Sequence, residues 1–294
     1  MASMVRSYTI GSHIYEAKPL EPALYIVSTP IGNLSDITLR ALETLAAVDI
    51  IACEDARVSL KLLNHYGIKA KMVSYHEHSP AQIGIKLIAE IANGRSVAII
   101  SDAGTPIISD PGFELVQYAT QTKIKTVPIP GACAAIAALS ASGLPTNQFY
   151  FVGFLPARHV ARRKMLSELV DISATLVFYE SPHRLIKTLA DMVEVFGSDR
   201  EAAICRELTK KFETYKADNL ARLYEYYFAN VTKLGEIVIL VEPGASIAKS
   251  YDKTELKHLL KTHMQNMPAA KAAAFVAKIT GLPKQQLYRM ILEF

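Results

Sequence analysis

Short apolar runs alternate with amphipathic stretches along most of this chain. Residues 23–27, 49–53, 71–75, 96–100 and 125–129 read as buried strands, each nearly all apolar and too short for a helix. Between them, Leu39, Leu42, Leu45, Ala46 and Val48 form a helical stripe, with Ser35 or Asp36 placed to N-cap it. Further helices are predicted over 58–66, over 81–93 where Asn93 and Gly94 end the run, and over 112–121. The alanine-rich stretch 131–144 reads as a closely packed helix. Strands apolar on both faces, alternating with helices, predict a parallel sheet covered on both sides. After Pro145 the pattern restarts, with strands at 149–155, 174–179, 201–206 and 236–241 and helices at 158–170, 184–196 and 220–228. Residues 243–246 read as a linker. Beyond it Ala273, Val276, Ala277 and Ile279, a turn at 281–283, and Leu287, Met290 and Ile291 make a helix-turn-helix-like pattern. The expected plan is a flexible N-terminal arm without periodicity (1–22), an N-terminal α/β domain (23–145), a C-terminal α/β domain (146–243) and a small basic helical tail (253–294).

The 294 residues suit two domains, and a chain 50% hydrophobic and 20% charged is not a disordered one. No apolar run approaches the roughly 18–20 residues of a membrane span. The first residues lack a secretory signal, so a cytoplasmic protein is expected. Three cysteines, far apart and without a CxxC pair, argue for reduced thiols and against zinc. His76 and His78 alternate faces in an extended segment and make poor joint ligands, so no metal is expected. The formal charge of +4 is unevenly placed. Seven basic against two acidic residues give 253–294 a net +5, leaving the rest at −1, which points the tail at an anionic partner. A second basic cluster, Arg158, Arg162, Arg163 and Lys164, follows the aromatic run 149–154. With Lys271, Lys278, Lys284 and Arg289 of the tail it is a candidate phosphate-tracking surface.

In open α/β sheets ligands sit beyond the carboxyl ends of the strands. Three turns there are rich in small residues that let backbone approach a ligand: STPIGN (28–33), SDAGTP (101–106) and PGACA (130–134). Neither the dinucleotide GxGxxG order nor a Walker A loop is present, and the three turns together point to a nucleoside-type ligand. Charged groups collect at other strand ends, around Glu54, Asp55 and Arg57, at Glu180 and Arg184, and from Arg206 to Lys211. They predict a polar cleft between the domains.

The longer motifs around these turns are LYIVSTPIGNLSDIT (24–38), ACED (52–55), SDAGTPIISDPG (101–112), PGAC (130–133), FLP (154–156), FYESPHR (178–184) and CRELTK (205–210). In this order they resemble the ribosomal RNA branch of the tetrapyrrole methylase superfamily, the bacterial 16S rRNA cytidine 2′-O-methyltransferases. The resemblance spans about residues 23–241 and extends to the tail. It implies a class III methyltransferase: two α/β domains, S-adenosyl-L-methionine in the cleft between them, a homodimer, and 16S rRNA of the small ribosomal subunit as substrate. By motif match the cofactor contacts are Thr29, Pro30, Gly32, Asp102, Ala103, Gly104, Thr105, Ile108, Ala132, Cys133, Ala134, Tyr179 and Gly235. Two departures stand out. Porphyrin-type members carry a glycine-rich first loop and Gly-Asp-Pro in the second, where this chain has TPIG and Thr105; Ala56 stands where the RNA branch often has Thr. A ribose hydroxyl is a weak nucleophile, so a base or nearby cation should assist its proton loss, and Glu54, Asp55, Glu180 and Lys210 are the candidates. Two other readings compete. A small-molecule tetrapyrrole methylase is disfavoured by the first loop and the basic tail. A helix-turn-helix nucleic-acid-binding regulator leaves the strand-end turns unexplained.

Overall fold

A computed structural model describes residues 6–230, 234–244, 253–280 and 282–292, the side chains of 278 and 279 excepted. Its first sheet is built from β3 (Leu24–Val27), β4 (Ile50–Cys53), β5 (Lys71–Ser74), β6 (Val97–Ile100) and β7 (Thr126–Ile129), all parallel, in the order β5-β4-β6-β3-β7. The apolar runs are explained by two cores, one on each face. Tyr25, Val27, Ile51, Cys53, Ala98 and Ile100 point to one core, where they meet Leu42 and Leu45 of α1 (Leu39–Ala47) and Leu62 and Leu63 of α2 (Ala56–His65). Their alternates Leu24, Ile50, Ala52, Val97 and Ile99 meet α3 (Ala81–Ala92) and α4 (Phe113–Gln121) on the other face. The order of the strands matters for function. The chain winds outward from β3 in one direction and returns through β6 to β7 in the other, so β6, β3 and β7 are neighbours at a topological switch point. The three small-residue turns therefore leave adjacent strands.

Two local expectations are corrected in this half. Helix α1 is capped by Thr38, whose Oγ1 accepts from the Ala41 amide at 3.1 Å, whereas Ser35 and Asp36 lie in a short 3-10 turn capped by Asn33. Leu39, at 66% exposed, drops out of the buried stripe. The expected loose arm holds a hairpin instead, β1 (Ser7–Ile10) paired antiparallel with β2 (His13–Glu16). Tyr8 is buried and stacks on Tyr15, and the Thr9 amide donates to the Tyr66 carbonyl at 2.8 Å. Four-residue strands with one exposed partner carry too little periodicity to be read from sequence; residues 1–5 lie outside the described ones.

The second sheet runs β11-β10-β12-β9-β8, from β8 (Phe149–Phe154), β9 (Thr175–Glu180), β10 (Glu201–Arg206), β11 (Thr214–Asn219) and β12 (Ile237–Val241). Only β8 and β9 pair in parallel; the other neighbours are antiparallel. Strand β11 was not anticipated, because its TYKADN sequence has no buried face. One side of the sheet packs on α6 (His159–Leu169), α7 (Leu185–Phe196) and α8 (Leu220–Ala229), through Leu166, Leu185, Leu189 and Leu223. The other side is covered by α5 (Ala134–Ala141) of the first domain, where Ala135, Ala138 and Leu139 meet Val177, Ala203, Val238 and Leu240. The alanine-rich composition of α5 thus serves close packing between the domains. The tail holds three helices, one more than the pattern showed: α9 (Lys253–Met264), α10 (Ala269–Thr280) and α11 (Lys284–Ile291). Leu256, Leu260, Val276, Leu287 and Met290 give them a core of their own. Residues 245–252, which include the second half of the expected linker, lie outside the described residues. No described helix is long and apolar enough to cross a membrane.

Candidate active site

The three turns are laced together. The Thr29 amide donates to the Gly104 carbonyl at 2.8 Å and the Gly104 amide returns a bond to Thr29 at 3.1 Å. Thr105 Oγ1 donates to the Ala132 carbonyl at 3.1 Å and lies 3.1 Å from Ser28 Oγ. The threonine that departs from the porphyrin-type acid is therefore the pin joining all three turns. Gly104 has φ +86°, and a Cβ there would come within 3.2 Å of Ile31. A Cβ on Gly131 would approach Ser28 Cβ to 2.8 Å, so glycine is required for the turns to close. From the second domain, Tyr179 Oη accepts the Ala135 amide of α5 at 3.2 Å, and the Phe151 and Phe154 rings stand edge-on to it at 5.0 and 5.6 Å.

These contacts enclose a cleft of about 430 Å³ between the domains. Of the sequence-derived candidates, Asp102, Ala103, Gly104, Thr105, Ile108, Cys133, Ala134, Tyr179 and Gly235 line it. Thr29, Pro30 and Gly32 instead line an adjoining cavity of about 270 Å³. The two share Ile31, Asp102, Ala103 and Glu236 as a common wall. Ala132 lines neither, and contributes its carbonyl to Thr105.

A carboxylate cluster faces the larger cleft. Burial, and then the neighbouring charge of Asp102, push the Glu54 carboxyl up. Asp110 is pushed up to about 6, chiefly by burial, with Glu54 and Asp102 adding and a hydrogen bond with Ser101 opposing. Asp102 Oδ1 accepts the Asp55 amide at 3.0 Å. Sequence reasoning missed Asp110, although it lies in the SDAGTPIISDPG motif. The loop carrying it is strained: Ile107 and Ser109 sit at φ +77° and +63°, and a β-branched residue in that region is a genuine outlier. Glu207 and Thr209, at φ +55° and +66°, bracket Leu208, which lines the cleft from the second domain.

Among the four candidates for proton transfer, Glu54 alone pairs a place in the cleft with a raised carboxyl. Asp55 does not line it. Its side chain caps α2, pairs with Arg57 at 2.7 Å, and is held down at about 2 by the hydrogen bonds from Arg57. Glu180 forms part of the cleft wall but is buried, accepting from the Ser181 amide at 2.7 Å and Thr188 Oγ1 at 2.6 Å, with Arg184 at 3.3 Å. Lys210 lines the smaller cavity and pairs with Glu207 at 2.8 Å and Glu236 at 3.1 Å.

The basic cluster divides. Arg162 is not a phosphate-facing residue: it is 3% exposed and pairs with buried Asp191 at 2.6 Å, which His159 also approaches at 3.0 Å. Its position on α6 faces the core, which spacing along a basic run conceals. Arg163 pairs with Glu194, while Arg158 and Lys164 are exposed. Lys271, Lys284 and Arg289 are exposed on the tail; the Lys278 side chain lies outside the described ones. Among the described residues no group of His, Cys, Asp and Glu could hold a metal ion.

Known proteins share this architecture. Residues 23–224 match the family of Tetrapyrrole (Corrin/Porphyrin) Methylases, and residues 252–294 match the RsmI C-terminal HTH domain. The chain is 53% identical over 284 residues to ribosomal RNA small subunit methyltransferase I of Mesorhizobium japonicum, covering 97% of this chain and 96% of that one. It is 47% identical to the Vibrio cholerae protein of the same name, covering 92% and 95%. A crystal structure of uroporphyrin-III C-methyl transferase from Thermus thermophilus, complexed with S-adenyl homocysteine, shares the fold at TM-score 0.53 and 18% identity, covering 74% of this chain and 96% of that one. With its parallel sheet, its second mixed sheet and the laced turns between them, the chain belongs to the tetrapyrrole methylase family.

Proposed function

We propose that this protein is an S-adenosylmethionine-dependent methyltransferase that methylates the ribose 2′-hydroxyl of a cytidine in 16S rRNA of the small ribosomal subunit. The observation that carries the reading is the interdomain cleft, lined by small-residue turns and carboxylates, in a chain alike over nearly its whole length to proteins named for ribosomal RNA methylation. The residues present fit the cofactor. A volume of about 430 Å³ lies in the range of small-molecule sites. Ile31, Ile108, Leu208 and Val238 offer apolar contact to an adenine. Glu54, Asp102 and Asp110 offer negative charge to a cationic ligand and acceptors to ribose hydroxyls. At Gly104 and Gly235 the missing side chains let Ile31 and Glu207 pack against the backbone that walls the cleft.

When bound, S-adenosylmethionine supplies a methyl group already activated by its sulfonium charge. The protein has then to orient a ribose hydroxyl, exclude water and receive one proton. Laced turns hold the site rigid, which favours near-attack positioning. The carboxylate of Glu54 or Asp110 would take the O–H proton of the attacking 2′-hydroxyl, and a bound donor would supply the methyl carbon and a neutral thioether as leaving group. A carboxyl near pH 6 suits this task, being ionised at neutral pH yet a better base than an ordinary aspartate. The exposed Lys271, Lys284 and Arg289 of the tail, with Arg158 and Lys164, contact RNA phosphates. The protein works in the cytoplasm as a homodimer, which would cover the exposed Phe149 and Tyr150 of edge strand β8. Labelled S-adenosylmethionine incubated with 30S subunits, free rRNA or a porphyrin precursor tests the reading. Label in the RNA supports it, and label in the porphyrin alone overturns it.

A further inference from the structure

The cavity beside the cleft has features of its own. It is walled by apolar groups at the mouth, where Leu34 and Val58 are 39% and 38% exposed. Ser59 also lines it, at 3% exposed. Ser59 Oγ has no hydrogen-bonding oxygen or nitrogen; only the Cys53 thiol, a weak partner, lies beside it. A buried hydroxyl left this way costs free energy unless something completes it. The wall shared with the larger cleft is Ile31, Asp102, Ala103 and Glu236, so a group entering the smaller cavity has its neighbouring atoms against the methyl-donor site.

We infer that the smaller cavity receives the base of the target nucleotide, turned out of its stack. The inference rests on the proposed RNA ribose methylation. A 2′-hydroxyl is brought into a cleft between two domains most readily on a nucleotide drawn out of its stack, and an extruded base is held by flat apolar contact and by hydrogen bonds to its polar edge. Leu34 and Val58 supply the apolar contact, and the unsatisfied Ser59 hydroxyl supplies the polar one. The ribose then lies at the shared wall, with its 2′-hydroxyl toward Asp102 and the carboxylates beyond. On this assignment Thr29, Pro30 and Gly32 face the nucleoside, and the cofactor is held by the second and third turns and the second domain.

Two variants of the full-length protein test this, with 30S subunits as substrate and calorimetry for S-adenosylmethionine. Val58→Trp fills the half-exposed mouth and is expected to cut kcat/KM for subunits about a hundredfold, with cofactor affinity within twofold of the parent. Ser59→Ala is nearly isosteric and is expected to lose about tenfold, the effect of one hydrogen bond. Thermal midpoints of both, measured alongside, guard against a folding effect. Full turnover by both variants overturns the assignment while leaving the proposed activity intact. Loss of cofactor binding in parallel with turnover overturns it too, by giving the cavity to the cofactor. A parent protein that methylates no RNA overturns the activity reading, and the inference with it.

Discussion

Arg162 separates a structural role from an RNA-binding one. It is 3% exposed, and its partner Asp191, also 3% exposed, is held at 2.6 Å. Its guanidinium also donates to the Ala157 carbonyl at 3.2 Å, fixing the turn that leads into α6. Arg162→Ala leaves Asp191 buried with only His159 for a partner, and breaking a pair of this kind costs about 3–5 kcal/mol. The expected consequence is a fall in thermal midpoint of roughly 10 °C. Replacing both partners, as Arg162→Met with Asp191→Leu, removes the stranded charge and should recover most of that loss. RNA binding should behave differently. The slope of log affinity against log salt counts phosphate contacts, at about 0.7–0.9 each. It should be unchanged in Arg162→Ala measured below its midpoint, and shallower by about one contact in Arg158→Ala or Lys164→Ala. A stable Arg162→Ala protein with a reduced salt slope would refute the reasoning.

Further outcomes follow from the site and the tail. Gly104→Arg places a side chain at φ +86° against Ile31; calorimetry should show cofactor binding lost, with a circular dichroism spectrum like the parent's. Because Asp110 is raised to about 6, its ionised form accumulates as pH climbs past that value, so single-turnover methylation should rise through pH 6. Asp110→Asn should remove that limb, and a profile unchanged by the substitution would exclude Asp110 from the reaction. By linkage the same raised value favours the folded state most below the unfolded carboxyl range, and that contribution is lost as pH rises through 6. Asp110→Asn should therefore flatten the pH dependence of stability in this window. Truncation after Asp252 removes helices that hold their own core, so cofactor affinity should persist while subunit binding weakens. A truncated protein with full subunit affinity would contradict the role given to the tail.

Much of this architecture was legible in the sequence because burial on two faces leaves a strong mark. The edge strands β5 (KMVS) and β7 (TVPI) carry a weaker mark, while the central strands β3, β4 and β6 are runs of apolar, largely buried residues and showed as such. Strand β11 did not, since an exposed edge strand such as TYKADN needs no apolar face and draws its order from pairing with β10. The hairpin at 7–16 escaped for the same reason. At the site, small residues at strand ends marked the turns, but sequence cannot tell which side of a shared wall a turn lines. Thr29 and Gly104 exchange two hydrogen bonds and yet face different cavities. Among charged residues, spacing located the cleft but not the state of each group. Asp55 and Glu54 are neighbours in the chain and both half-buried, yet one caps a helix and is held down by Arg57 while the other is pushed up by burial and by Asp102. Asp110 was passed over because its burial comes from a loop held in a strained conformation, which no periodicity announces.

The most direct test of the central claim is the chemical position of the transferred methyl group. A 2′-O-methyl protects the adjoining phosphodiester from alkali, since the hydroxyl that would attack the phosphorus is gone. Small subunits that lack the modification are methylated with labelled S-adenosylmethionine, and their 16S rRNA is hydrolysed in base. The account expects the label in one alkali-stable dinucleotide whose 5′ residue is cytidine. Label recovered in ordinary mononucleotides, as methylation of a base would give, or no label in the RNA at all, would contradict it.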